Sequence, residues 1–245
     1  MTELTTTDFP DAVVTLAVVM IVLGVGSAVG VAVDVARRPQ PMRVMDVVWP
    51  VTALFGSLLW VAAYLRWGRA PRRGEQEHRH GHDEATPMPV AVFTGTSHCG
   101  AGCMLGDLLV EWTVVLVPAL VLLGGYDWLF DDRIYAVWVL DYVAAFVIGI
   151  AFQYFAIAPM RGLGLRAGLR AAVKADALSI TAWQVGMYGT MAVVQLWWLP
   201  EVLGGRAAVT TPVFWAAMQV AMVVGFATSY PVNWWLVRTG VKERM

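Results

Sequence analysis

The chain has 245 residues, 58% of them hydrophobic and 14% charged, with a mean hydropathy of +0.63. Soluble domains run nearer one half apolar and one quarter charged, so the composition excludes an ordinary soluble fold. Seventeen Lys and Arg against eighteen Asp and Glu leave a net charge of -1, which supplies no basic field for a nucleic acid.

The first apolar run covers 12–36 and follows a leader carrying Glu3, Asp8 and Asp11. It is too long for the apolar part of a secretory signal and no basic residue precedes it, so it reads as a retained span. Five further runs follow at 44–66, 103–124, 134–158, 177–199 and 212–237. Each reaches the roughly 20 helical residues that a hydrocarbon core demands. Lipid leaves open backbone unpaired, and the period-two alternation of a barrel is absent, so these runs are helices. Trp and Tyr near many run ends, such as Trp67, Tyr126, Trp197 and Trp234, fit interfacial belts.

The expected fold is therefore all-α, a polytopic bundle of about six spans. Between the fourth and fifth, Arg166, Arg170 and Lys174 recur every four residues. That spacing fits either a short helix on the lipid surface or a basic loop. The organisation read from these runs is an N-terminal pair of helices at 1–69, a flexible His- and Arg-containing loop at 70–93, and a four-span core at 94–245.

Basic residues cluster after the second and fourth runs and in the tail, whereas 125–133 and 200–211 are poor in them. The positive-inside rule then places the C-terminus and both basic loops in the cytoplasm, in a bacterial inner membrane. The first run conflicts. Its acidic leader and the following Arg37, Arg38 and Arg43 prefer the leader outside, but six crossings put that trio outside instead. Either the charge rule fails there, or one N-terminal run does not cross fully.

The chemistry concentrates in Ser97-His98-Cys99-Gly100-Ala101-Gly102-Cys103, where the third run opens. Cys99, Cys103, Asp107 and Glu111 recur every four residues, one slowly rotating helical face beginning beside His98. Thiolates and imidazole bind Zn(II) and Cu(I), and carboxylates take harder cations or protons. The competing reading is packing: Gly102-x3-Gly106 is a close-approach spacing that would leave the cysteines as small filler. With only two cysteines, one turn apart, reduced thiols are expected. His78, His80 and His82 form a second, weaker metal-collecting loop.

Deeper in the bundle, Asp141, Gln153, Gln184, Tyr188, Gln219 and Asn233 are expected on a polar interior. The pairs Met187/Met191 and Met218/Met222 add thioethers, which suit Cu(I) but also serve as ordinary filler. Pro118 and Pro231 allow local breaks in spans three and six. There is no P-loop, dinucleotide glycine pattern, nucleophile elbow or haem-attachment motif, so ATP-driven work by this chain alone is unsupported.

The SHCGAGC segment at 97–103, Phe152-Gln153-Tyr154-Phe155, Thr181-Ala182-Trp183-Gln184-Val185-Gly186-Met187-Tyr188 and Thr228-Ser229-Tyr230-Pro231-Val232-Asn233-Trp234-Trp235 resemble an uncharacterised bacterial integral-membrane family, a domain of unknown function. Pro39-Gln40-Pro41-Met42 and 48–54 resemble the N-terminal helix of its longer members, so the resemblance covers about 40–66 and 94–245. It implies a multi-span inner-membrane protein and supplies no activity and no catalytic residue. The leading expectation from the residues is transition-metal cation handling. His98, Cys99 and Cys103 would form the entrance, Asp107, Glu111 and Gln184 would lie on the path, and the methionines deeper. Copper or zinc is the fitting cofactor, and the bilayer and a second copy of the chain are the fitting partners. The alternatives are a membrane enzyme using Cys99 or His98 with an acid on a lipid-soluble substrate, and a non-catalytic scaffold subunit.

Overall fold

The computed structural model describes residues 2–71 and 86–244. The loop histidines His78, His80 and His82 lie outside the described residues. Among those described, the helices are α1 (Asp11–Arg37), α2 (Met45–Ala63), α3 (Met88–Leu116), α4 (Arg133–Arg161), α5 (Leu165–Ala192), α6 (Leu199–Leu203) and α7 (Pro212–Arg238). Two short strands, β1 (Thr2–Leu4) and β2 (Gly205–Ala207), pair in parallel with Thr2 opposite Gly205. Five helices are long and apolar enough to cross a membrane, which makes this an all-α membrane bundle.

The second apolar run departs from a simple crossing. Inside α2, Ser57 takes φ 50° and ψ -136°, a conformation far from helical. The chain doubles back there. The rings of Trp49 and Tyr64 lie 5.5 Å apart, whereas a straight helix would separate those residues by about 22 Å. Gly68 likewise packs on the Trp49 indole, where a Cβ would collide. Each arm is only about 18 Å long, against a hydrocarbon core of about 30 Å. The tip sits at mid-depth: the Leu54 carbonyl accepts from Gln219 Nε2 at 2.9 Å and abuts Gly24, halfway along α1.

A half-depth hairpin survives in lipid only when protein covers its tip. Here Phe55 and Trp60 are buried, and Trp60 meets Phe93 and Phe226 at 5.4 and 4.9 Å while its Nε1 donates to Ser97 Oγ at 3.0 Å. Both arms end beside the C-terminus of α1, where Asp34 accepts from Tyr64 Oη and from Arg69.

The hairpin resolves the charge conflict in the sequence. α1, α3, α4, α5 and α7 are each 27–29 residues long, about 40 Å, and alternate in direction, so Thr2 and Arg244 fall at opposite ends of the bundle. Arg37, Arg38 and Arg43 then share one end with the other basic segments. Only Arg133 and Arg206, among the described basic residues, lie at the other end. α5 is the least apolar of the long helices, with Arg166, Arg170, Lys174 and Asp176 in its first half and Gln184 further in, yet it continues through a wider π-type stretch (Val193–Trp198) into α6.

Three boundaries differ from the sequence reading. α3 begins at Met88, inside the expected loop, and ends at Leu116, because Pro118 forces the preceding Val117 out of helix (φ -131°). The basic stretch around Arg166–Lys174 is helical but not a separate element: it forms the first turns of α5, with no breaker between them and the buried part. α7 runs through Pro231 uninterrupted.

Candidate functional site

α3 and α4 approach closely because both present small residues. A Cβ on Gly102 would come within 2.6 Å of the Gly149 Cα, and one on Gly106 within 2.7 Å of the Ala145 Cα. This contact sets the register. His98 falls level with Gln153, and Asp107 and Glu111 fall level with Asp141. The spacing that suggested packing and the spacing that suggested chemistry therefore serve each other: the glycines bring the helices together, and the polar groups face the seam.

The seam carries a file of buried polar side chains through the bundle. At the basic end, Lys242 and Asp176 form an ion pair at 2.6 Å with both side chains 0% exposed. Lys242 also donates to Asn233 Oδ1 at 2.8 Å and to the Gly95 carbonyl at 3.3 Å. Asn233 in turn donates to Ser179 Oγ at 2.6 Å and Ser229 Oγ at 2.9 Å. Gly240, left-handed at φ 72°, turns the tail back after α7 and delivers Lys242 inward. One turn deeper, His98 lies near this pair and the Phe152 backbone.

In the middle, Gln184 neighbours Asp107. Beyond it, Asp107, Asp141 and Glu111 are close enough to feel one another's charge. Tyr188 stacks on Trp138 at 5.0 Å and donates to its carbonyl at 2.9 Å, which holds the ring beside these acids. His98, Asp107, Asp141, Gln153 and Gln184 are buried with no hydrogen-bond partner for their side chains among the described residues.

At the other end the file meets a cavity of about 290 Å³ whose lining includes Glu111, Arg133, Gln195 and Arg206. Gln195 clamps Ala207, accepting from its N–H at 2.9 Å and donating to its carbonyl at 3.3 Å. Arg206 grips Asp132 with two bonds of 2.8 and 2.6 Å, and this hydrogen bonding holds the Asp132 carboxyl below its ordinary range.

The expected metal face separates into parts. His98, Cys99, Cys103, Asp107 and Glu111 are all buried on α3. Strung along one helix, however, His98 and Glu111 stand about 20 Å apart. No three His, Cys, Asp or Glu among the described residues converge on one point. Cys99 and Cys103 are free thiols at mid-helix and not at the mouth, because α3 starts 11 residues before Cys99. Glu111, not the sulfurs, adjoins the open cavity.

The methionines are packed. Met187, Met191, Met218 and Met222 are buried, and the Met222 sulfur accepts from Trp183 Nε1 at 3.4 Å. Gln219 faces the N-terminal helices, donating to the Met20 and Leu54 carbonyls, and so fastens the hairpin instead of lining the file. Sequence reasoning missed Asp176, Lys242, Arg133 and Arg206. The tail lysine looked like a topology charge, and a lone acid three turns into α5 was the one signal available.

Fold and site together define a polytopic helical membrane protein built around a buried polar file. Residues 90–242 match the family described as a domain of unknown function, DUF4396, and the chain belongs to that family. The match spans α3 to the tail, and so contains every member of the file. Neither the curated proteins nor the solved structures offer a match.

Proposed function

We propose that this protein passes a cation through the bilayer along the buried file, and that the cation is a proton. The observation that carries this reading is the run of Glu111, Asp141 and Asp107 between the cavity and His98, all three buried, with Asp141 and Asp107 lacking a hydrogen-bond partner among the described residues. A charged acid at the centre of a membrane helix costs about 2.5–3.5 kcal/mol on insertion scales, and a proton removes that cost. Side chains that gain and lose protons at that depth are the usual substance of a proton relay.

The electrostatics favour a proton over a metal ion. The Arg133 guanidinium lines the mouth together with Glu111, and a fixed positive charge there repels a metal cation seeking a permanent site. The basic end is shut by Lys242, so the file is open toward the cavity only. By the positive-inside rule the basic end faces the cytoplasm of a bacterial inner membrane, with the C-terminal tail inside and the cavity outside. A second reading, Cu(I) handling, draws on one observation: the Cys99 and Cys103 thiols are free and buried on successive turns of α3, a soft two-ligand arrangement.

Purified protein in liposomes loaded with a pH-sensitive dye tests the first reading. Imposing a membrane potential should acidify the lumen, and an Asp107→Asn/Glu111→Gln variant that elutes as the wild type should lose about tenfold or more of that rate. Equal flux in the variant would remove the proposal. Stoichiometric copper by elemental analysis, lost in Cys99→Ser/Cys103→Ser, would establish the second reading instead.

A further inference from the structure

The cavity at the non-basic end has features that a proton mouth does not need. Its volume of about 290 Å³ corresponds to roughly ten waters in the liquid, and Val114, Val137 and Phe214 give it apolar walls. Two guanidiniums line it, and they differ. Arg206 spends both terminal nitrogens on Asp132 but keeps a buried Nε without a partner. Arg133 makes no ion pair among the described residues, only a long 3.5 Å contact to the Val114 carbonyl.

The acids do not cancel this. Glu3 stands exposed at the rim, Asp132 is committed to Arg206, and Glu111 is buried at the floor without bonding Arg133. A planar guanidinium with open donors beside apolar walls is a recognition group for a carboxylate with an apolar tail. A few convergent polar groups in a mostly apolar hollow are the ordinary form of a small-molecule site.

We infer that this cavity binds a small organic monocarboxylate, its carboxylate on the open donors of Arg133 and its short tail against Val114, Val137 and Phe214. The inference rests on the proton reading at one point: a protonated Glu111 leaves Arg133 without a counter-charge. Binding and flux can nevertheless fail separately, because one is measured at equilibrium in detergent and the other across a membrane.

The test is calorimetric titration of the full chain in mild detergent with butyrate, hexanoate, benzoate and dodecanoate, and with butylamine and butanol as charge controls. Carboxylates should bind while the amine and the alcohol do not. Arg133→Gln should weaken binding by about tenfold or more. Glu111→Gln, which mimics the protonated floor, should bind at least as tightly as the wild type even though its flux is lost. Val115→Trp, which fills the hollow from its wall without touching a charge, should abolish binding and guards against an Arg133 variant that fails to fold. Unchanged affinity in Arg133→Gln, or equal binding of butanol, overturns the site. Affinity that keeps rising to dodecanoate overturns the small-acid assignment in favour of a fatty acid drawn from the bilayer.

Discussion

Two ion pairs, one at each end of the bundle, could hardly be less alike. At the basic end Lys242 and Asp176 are wholly buried, and the lysine has three acceptors. At the other end Arg206 and Asp132 keep 16% and 35% of their side chains exposed and border an open cavity. A cation–carboxylate pair thus serves closure in one place and borders an opening in the other. Burial decides which: a dry pair must satisfy every donor to exist, whereas a wet one can leave a nitrogen unpaired.

Lys242→Met should break this comparison most severely. It strands Asp176 without a counter-charge inside the bundle, and removing one partner of a buried pair costs about 3–5 kcal/mol. Unfolding in mixed micelles should show that loss, and Lys242→Met/Asp176→Leu should recover most of it. If the single variant is as stable as the wild type, the basic end is not sealed as described.

A smaller effect is expected at the hairpin, which fills only the basic half and makes the ends unequal. Ser57 holds φ 50° where glycine is at ease. Ser57→Val should cost about 1–3 kcal/mol, and Ser57→Gly should cost nothing, by the same unfolding measurement. Equal tolerance of valine would mean that the turn is elsewhere.

The smallest effect belongs to the open end. Asp132 titrates below its ordinary value of 3.8 because Arg206 bonds its charged form. A depressed carboxylate contributes stability that is present above the unfolded value and lost as pH falls through the folded one. Melting temperatures measured below pH 4 should therefore drop, modestly because the pair is solvent-screened, and Asp132→Asn should flatten that part of the profile.

Much of this was legible beforehand. Helical spans follow from run length, and Asp107, Glu111, Asp141, Gln153 and Gln184 stood out because polar groups inside apolar runs demand a reason. The charge pattern offered two readings at the N-terminus, a failure of the rule or a run that does not cross fully. It could not say which, because a hairpin of two apolar arms passes any averaging window as one span, and only Gly56-Ser57 marks the turn. Lys242 was hidden for a different reason. Its depth depends on a tail that folds back after Gly240, a three-dimensional fact with no periodic trace. The metal face misled because equal spacing on a helix aligns side chains without gathering them.

The hairpin also fixes how the molecule can be tagged. On the proposed topology, with an odd number of full crossings, Thr2 in β1 and Arg244 in the tail belong to different compartments. Halves of a split fluorescent reporter fused near those two positions should never complement within one copy, while halves placed beside Arg43 and Arg244 should. Under the proposed orientation, an epitope at the strand end is reached by antibody from the outer face of the membrane, and one at the tail only after permeabilisation.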